Sequence, residues 1–263
     1  MRFSLAFSAL VAAVAAAPQT GNPGGVDLKP FEANSFKTIP FDDEKAKKGQ
    51  AAAAAGNLTF SHASQNAFAV GVCPRRIEWR RGSDSDRRAF VNAIRCLYTR
   101  PSRGGFPGSG NRYEDLVSVH QQLTPQIHMR PTFLPYHRYY VAVFESLIRD
   151  ECGYRGPMFW WDETLDAGNF RNSLVFRNEY FSPGPLRTAN GQGTCISTGT
   201  FAGIQLNLGP GSGRTRHCLS RALDEGATAQ CNQNFVNYCN SFNNFNDMAA
   251  CSEQGYVCCS RPR

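Results

Sequence analysis

Beyond its first 17 positions the sequence contains no run of 18 apolar residues, so nothing there reads as a membrane-spanning helix. It has no CxxC pair, which weakens zinc-ribbon and thioredoxin-type readings of its cysteines. It has no internal repeat and no collagen-like glycine period. Charge is sparse, at 19% against 41% hydrophobic residues, a balance that excludes wholesale disorder. Histidine is scarcer still, with five in 263 residues. What remains is a globular chain long enough for one large domain or two small ones and a sizeable core.

The formal net charge of +7 is concentrated locally. Residues 75–103 hold nine Arg against Glu78, Asp84 and Asp86. This stretch reads as a charged, partly ion-paired helix face and the segment leading into it. The chain begins like a secretory leader: Arg2, then apolar and small residues to Ala17, with Ala13-Val14-Ala15 as a small-x-small cleavage site. We therefore expect a signal peptide over 1–17, a secreted, extracellular product, and neither nucleic acid nor membrane as partner. Secretion makes disulfides the default for the ten cysteines, with the pairing open. The vicinal Cys258-Cys259 would not bridge each other without strain.

Residues 18–66, rich in Pro, Gly, Ala and Lys, read as a flexible linker that carries a glycosylation acceptor at Asn57 and an exposed His62. Order is expected from about Cys73. Ser83-x-x-Asp86 resembles a capping box. Phe90, Ala93, Ile94 and Leu97 follow at helical spacing, giving a helix from Asp84 to Tyr98 that Arg100-Pro101 stops. A second helix is expected from Arg112 to Leu123, with Tyr113, Leu116, Val117 and His120 on one face. Pro125 and Pro131 bracket a stiff loop holding His128. A third helix is expected after Pro135 to about Asp150, with His137 in its first turn. Short strands are expected near 174–176 and 195–198, and little periodicity after 218.

Three of the five histidines, His120, His128 and His137, fall within 18 residues. Singly, each would more often be a core or surface residue. Placed on two inward helix faces and the loop between them, they read as a metal site, and three imidazoles suit Cu or Zn.

The surrounding residues resemble the tyrosinase family, the type 3 copper proteins. The resemblance runs through Cys73-Pro74, Arg76-x-Glu78-Trp79-Arg80, Tyr113-Glu114-Asp115-Leu116-Val117-Ser118-Val119-His120 and Ile127-His128. It continues through Thr132-Phe133-Leu134-Pro135-Tyr136-His137-Arg138, Glu145, Glu151-Cys152-Gly153-Tyr154 and Phe159-Trp160-Trp161-Asp162, and weakens after 165. Tyr136 stands where the family usually has Trp or Phe. The resemblance implies a mainly α fold, a helical-bundle core with long irregular loops and few short strands. It implies that His120, His128 and His137 bind one copper, CuA. Arg138, Glu145 and Asp162 are expected as groups supporting the ligands, or else as ordinary ion-pair and packing residues. Gln126 occupies the position of the Cys that some members link to the second His, so no thioether is expected.

The family's reaction oxidises phenols or catechols to o-quinones with dioxygen and needs two coppers. The second, CuB, requires a His-x-x-x-His helix and a later His, and after His137 only His217 remains. The resemblance therefore implies a partial copper-binding domain over 67–255, at most one copper, and an atypical tail over 256–263. A mispredicted exon junction, intron read-through or truncation near residue 255 would produce this pattern. Without the CuB helices, an apolar face is expected to lie uncovered. Two alternatives stand beside the oxidase: a chain without catalysis that binds one copper or none, and an oxygen carrier like the haemocyanins. Monophenol or diphenol preference and oligomeric state are not legible.

Overall fold

The structure is a computed structural model that describes residues 76–188 and 193–258, the side chains of 254–258 apart. The expected leader, the linker with Asn57 and His62, Cys73 and residues 259–263 lie outside the described residues.

The elements follow in order β1 (Arg76–Glu78), α1 (Asp84–Thr99), α2 (Arg112–Ile127), α3 (Phe133–Asp150), β2 (Met158–Trp160), β3 (Thr194–Cys195), β4 (Gln205–Leu206), β5 (His217–Cys218), β6 (Ser220–Arg221), α4 (Glu225–Thr228), α5 (Gln233–Asn240) and α6 (Phe245–Cys258). The fold is mainly helical, with three two-stranded sheets. β1 pairs with β2 in parallel, Ile77 opposite Phe159; β3 pairs with β6 and β4 with β5, both antiparallel.

The caps explain where the helices start. The Ser83 hydroxyl accepts from the Asp86 backbone N–H at 3.1 Å and donates to the Asp86 carboxylate at 2.6 Å. The Asn111 side chain accepts from the Glu114 N–H at 2.9 Å and starts α2. The apolar stripe of α1 (Phe90, Val91, Ile94, Leu97) is buried against Phe144 and Ile148 of α3 and an aromatic cluster centred on Trp79. Trp79 meets Phe159, Tyr180 and Phe181 with ring centroids 5.1, 5.2 and 5.4 Å apart. Trp161 is buried as well. The basic stretch divides by role. Arg87 donates to the Trp79 and Gly82 carbonyls and Arg80 pairs with Asp166, while Arg81, Arg95, Arg100 and Arg103 are exposed.

Two buried carboxylates at the start of α2 tie distant loops to the helix that carries His120. Asp115 accepts from the Ser102 and Ser109 hydroxyls, the Arg103 and Gly104 N–H groups and the Arg112 guanidinium. Glu114 accepts from the Gly110 N–H and from the backbone and side chain of Asn207. Three bridges fasten the periphery: Cys96–Cys152 joins α1 to the residues after α3, Cys195–Cys218 joins β3 to β5, and Cys239–Cys251 joins α5 to α6. Cys231 is disulfide-bonded too.

Several elements depart from the sequence reading. α2 runs to Ile127 instead of Leu123. Pro125 lies in its last turn, and the helix continues past it, with the His128 N–H reaching the Thr124 carbonyl at 3.0 Å. α3 starts at Phe133, with Pro135 in the first turn, where an N–H has no intrahelical partner anyway. Residues Leu174–Phe176 form a 3-10 turn, not a strand. Where little periodicity was expected, α4, α5 and α6 form, and α6 packs against α3. Among the described residues the large apolar side chains left exposed are Met129, Tyr139, Leu165, Leu186, Tyr238 and Phe245, and no helix is long and apolar enough to cross a membrane.

Candidate metal centre

His120 sits on the third turn of α2, His128 caps that helix, and His137 lies just past the first turn of α3. The short turn between the helices brings all three rings together. Nε2 of His120 lies 3.1 Å from Nε2 of His128 and 3.4 Å from Nε2 of His137. The three form a group whose candidate ligand atoms all fall within 4.8 Å of one another.

Hydrogen bonds on the far side of two rings make Nδ1 the donor in each. Nδ1 of His137 is 2.7 Å from the Phe133 carbonyl, which can only accept, so this nitrogen donates and Nε2 is left with a lone pair. Nδ1 of His128 is 2.8 Å from the carboxylate of Glu253, so this nitrogen donates as well. Burial, and then the neighbouring His128 and His137, push the His120 imidazole down to about 3, so it is neutral at ordinary pH. Burial also lowers His137.

Imidazole nitrogens gathered this closely around one point suit a shared cation. A ring nitrogen sits about 2.0–2.1 Å from zinc, and copper is comparable, which puts nitrogens sharing one ion roughly 3.3–3.5 Å apart. The observed separations suit that demand, and imidazole suits copper. Aromatic side chains wall the group: Phe133 lies 4.5 Å from the His137 ring, and Tyr140, held through its hydroxyl to the Leu116 carbonyl, lies 5.9 Å from His120.

The other residues singled out in the sequence make the following contacts. Arg138 is exposed. Glu145 pairs with Arg149 at 2.8 Å, one turn along α3, and not with Arg138. Asp162 accepts from the Thr164 hydroxyl at 2.6 Å. His217 is bonded to the Thr215 carbonyl and is not part of the group. One participant was not among the site residues expected from the sequence. Glu253, on α6, is 2% exposed and touches both His128 and the Met129 backbone N–H. Its nearness to Cys251, whose bridge orders α6, was the available hint.

A family model described as the common central domain of tyrosinase matches residues 110–257, more than half of the chain. The chain belongs to the tyrosinase family. Members are copper oxidoreductases, and the three-histidine group fits that metal. Tyrosinase ustQ of Aspergillus flavus is 35% identical over 158 residues, covering 59% of this chain and 43% of its own length. Tyrosinase P of Aspergillus terreus is 30% identical over 173 residues, 54% of this chain and 49% of its own. N-acetyl-6-hydroxytryptophan oxidase ivoB of Emericella nidulans is 32% identical over 151 residues, 56% and 40% respectively. A polyphenol oxidase structure (mutant G292N) from Thermothelomyces thermophila superposes with a TM-score of 0.59 at 26% identity, covering 76% of this chain and 59% of that one. The chain thus spans less than half the length of the curated relatives it matches.

Proposed function

We propose that His120, His128 and His137 hold one copper ion, the CuA half of a tyrosinase-type centre, in a secreted oxidase that converts phenols or catechols to o-quinones with dioxygen. The observation that carries this reading is the convergence of three imidazole nitrogens, with Nδ1 of two of the rings donating to an acceptor on the far side. Copper bound there supplies one-electron redox chemistry and affinity for dioxygen. The protein's own part is to present neutral nitrogens in a fixed arrangement and to wall them with Phe133 and Tyr140. Extracellular destination rests on the leader-like first 17 residues and on the disulfides; a glycan at Asn57 would follow from it.

Of the two remaining histidines, His217 stands outside the group and His62 outside the described residues. This favours a second reading, in which these 263 residues bind at most one copper and do not turn over catechol unaided. Copper content of the purified full chain after loading tests both. One copper per chain, lost in His137→Ala with helical content unchanged, supports the assignment of the trio. No copper in the wild type, or the same stoichiometry in the variant, contradicts it. Catechol oxidation by the loaded chain separates the oxidase from the silent form.

A further inference from the structure

His128 differs from its two partners in how its ring is held. His120 and His137 project from helices, and His137 is fixed by a carbonyl of its own helix one turn back. His128 stands on extended backbone, with φ −100° and ψ 144°, at the point where α2 ends. The next residue, Met129, has φ +52°, in the left-handed region that side chains other than glycine rarely adopt. Apart from a tilted contact with the Phe133 ring at 5.5 Å, the turn gives the ring no hydrogen-bond partner of its own among the described residues.

Glu253 supplies what the turn lacks. One carboxylate oxygen lies 2.8 Å from Nδ1 of His128, and both oxygens lie 2.8 Å from the Met129 N–H. The side chain is 2% exposed. A carboxylate removed from water is expensive unless donors surround its oxygens, so a buried one is informative about what it holds. This one takes two successive donors from the turn, one from the ring and one from the strained backbone. Its own position is fixed independently, because Cys251, two residues earlier on α6, is bridged to Cys239 on α5.

We infer that Glu253 is the positioning residue of the centre: it holds His128 in the Nδ1–H form, turns Nε2 toward His120, and locks the left-handed turn at Met129. The α5–α6 hairpin is thereby part of the metal site although it contributes no ligand. Hydrogen bonding of the far nitrogen to a carboxylate also raises the basicity of the nitrogen that faces the metal. The metal part of this inference rests on the copper reading above; the ring-orienting part does not.

The test uses the full chain, with Glu253→Gln as the variant of nearly equal size. Its amide keeps one accepting oxygen but loses the negative charge, and it sets an N–H₂ against the Met129 N–H where the second oxygen stood. Two quantities are read. In metal-free protein, long-range ¹H–¹⁵N spectra report the His128 tautomer: Nδ1–H alone in the wild type, and a mixture of both forms in the variant. Titration with copper then reports affinity, expected to fall 10- to 100-fold in Glu253→Gln. Glu253→Asp, which keeps the charge on a shorter arm, should recover part of both. An unchanged tautomer in Glu253→Gln overturns the inference, as does an affinity within twofold of wild type. If the wild type takes up no copper, the copper reading fails and the tautomer alone decides the role of Glu253. Should Glu253→Gln not fold, as judged by circular dichroism, Glu253→Asp decides by the same two readings, with a weakened single-tautomer preference expected.

Discussion

At the scale of single residues, Asp115 shows how this chain uses a buried charge. Burial alone would push its carboxyl up, but the Ser102 hydroxyl, the Arg103 N–H, the Ser109 hydroxyl and the Arg112 guanidinium together hold it down at about 2. A carboxyl depressed from its ordinary 3.8 stabilises the fold above that value and loses the contribution as pH falls toward 2. The shift corresponds to roughly 2 kcal/mol. Asp115→Asn should therefore cost about that much at neutral pH in urea unfolding. The difference between variant and wild type should shrink between pH 4 and pH 2, and a gap that is constant with pH would contradict the account. The spacing of His120, His128 and His137 was legible without a structure, because three histidines so close together already suggest a ligand set. Glu253 was not, since an acidic residue 125 positions beyond His128 acquires meaning only when folding brings the two together.

At the scale of elements, α1 and α3 are held by aromatic packing and by a bridge. Phe144 is 1% exposed, with its ring 6.5 Å from Phe90. Phe144→Ala should cost about 3–5 kcal/mol, read as a lowered midpoint in chemical denaturation. The Cys239–Cys251 bridge closes a short loop with a sequence separation of 12 and should contribute roughly 3 kcal/mol. Replacing both cysteines with Ser should lower thermal stability and, by loosening α6, weaken copper binding in the same direction as Glu253→Gln. Stability lost without any change in copper affinity would show that the hairpin does not act on the site. The starts of α1 and α2 could be read from Ser83 and from the i, i+3, i+4 stripes, since caps and amphipathic faces are local. The C-terminal end of α2 and the start of α3 could not, because whether a proline breaks a helix depends on where in the helix it falls. α5 and α6 were hidden because their order comes from a disulfide and from packing on α3 more than from periodicity.

At the scale of the whole molecule, the described chain is a three-helix frame around an aromatic cluster, with a disulfide-fastened hairpin closing over the turn that carries His128. Loading should reach one copper per chain, not two, by elemental analysis, since the described residues offer one group that could hold a metal. α6 packs against α3, while Met129 and Tyr139, at 59% and 68% exposure, stand out close to the trio in the sequence. The sequence by itself determined the family, the mainly helical class and the three imidazoles, because these depend on residue identity and spacing along the chain. Tertiary structure alone decided which nitrogen of His128 faces the other rings, which carboxylate holds that ring, and that Glu145 serves Arg149 and not Arg138. Those are matters of distance between segments far apart in sequence or of competing partners on one helix, and spacing along a chain does not encode which contact wins.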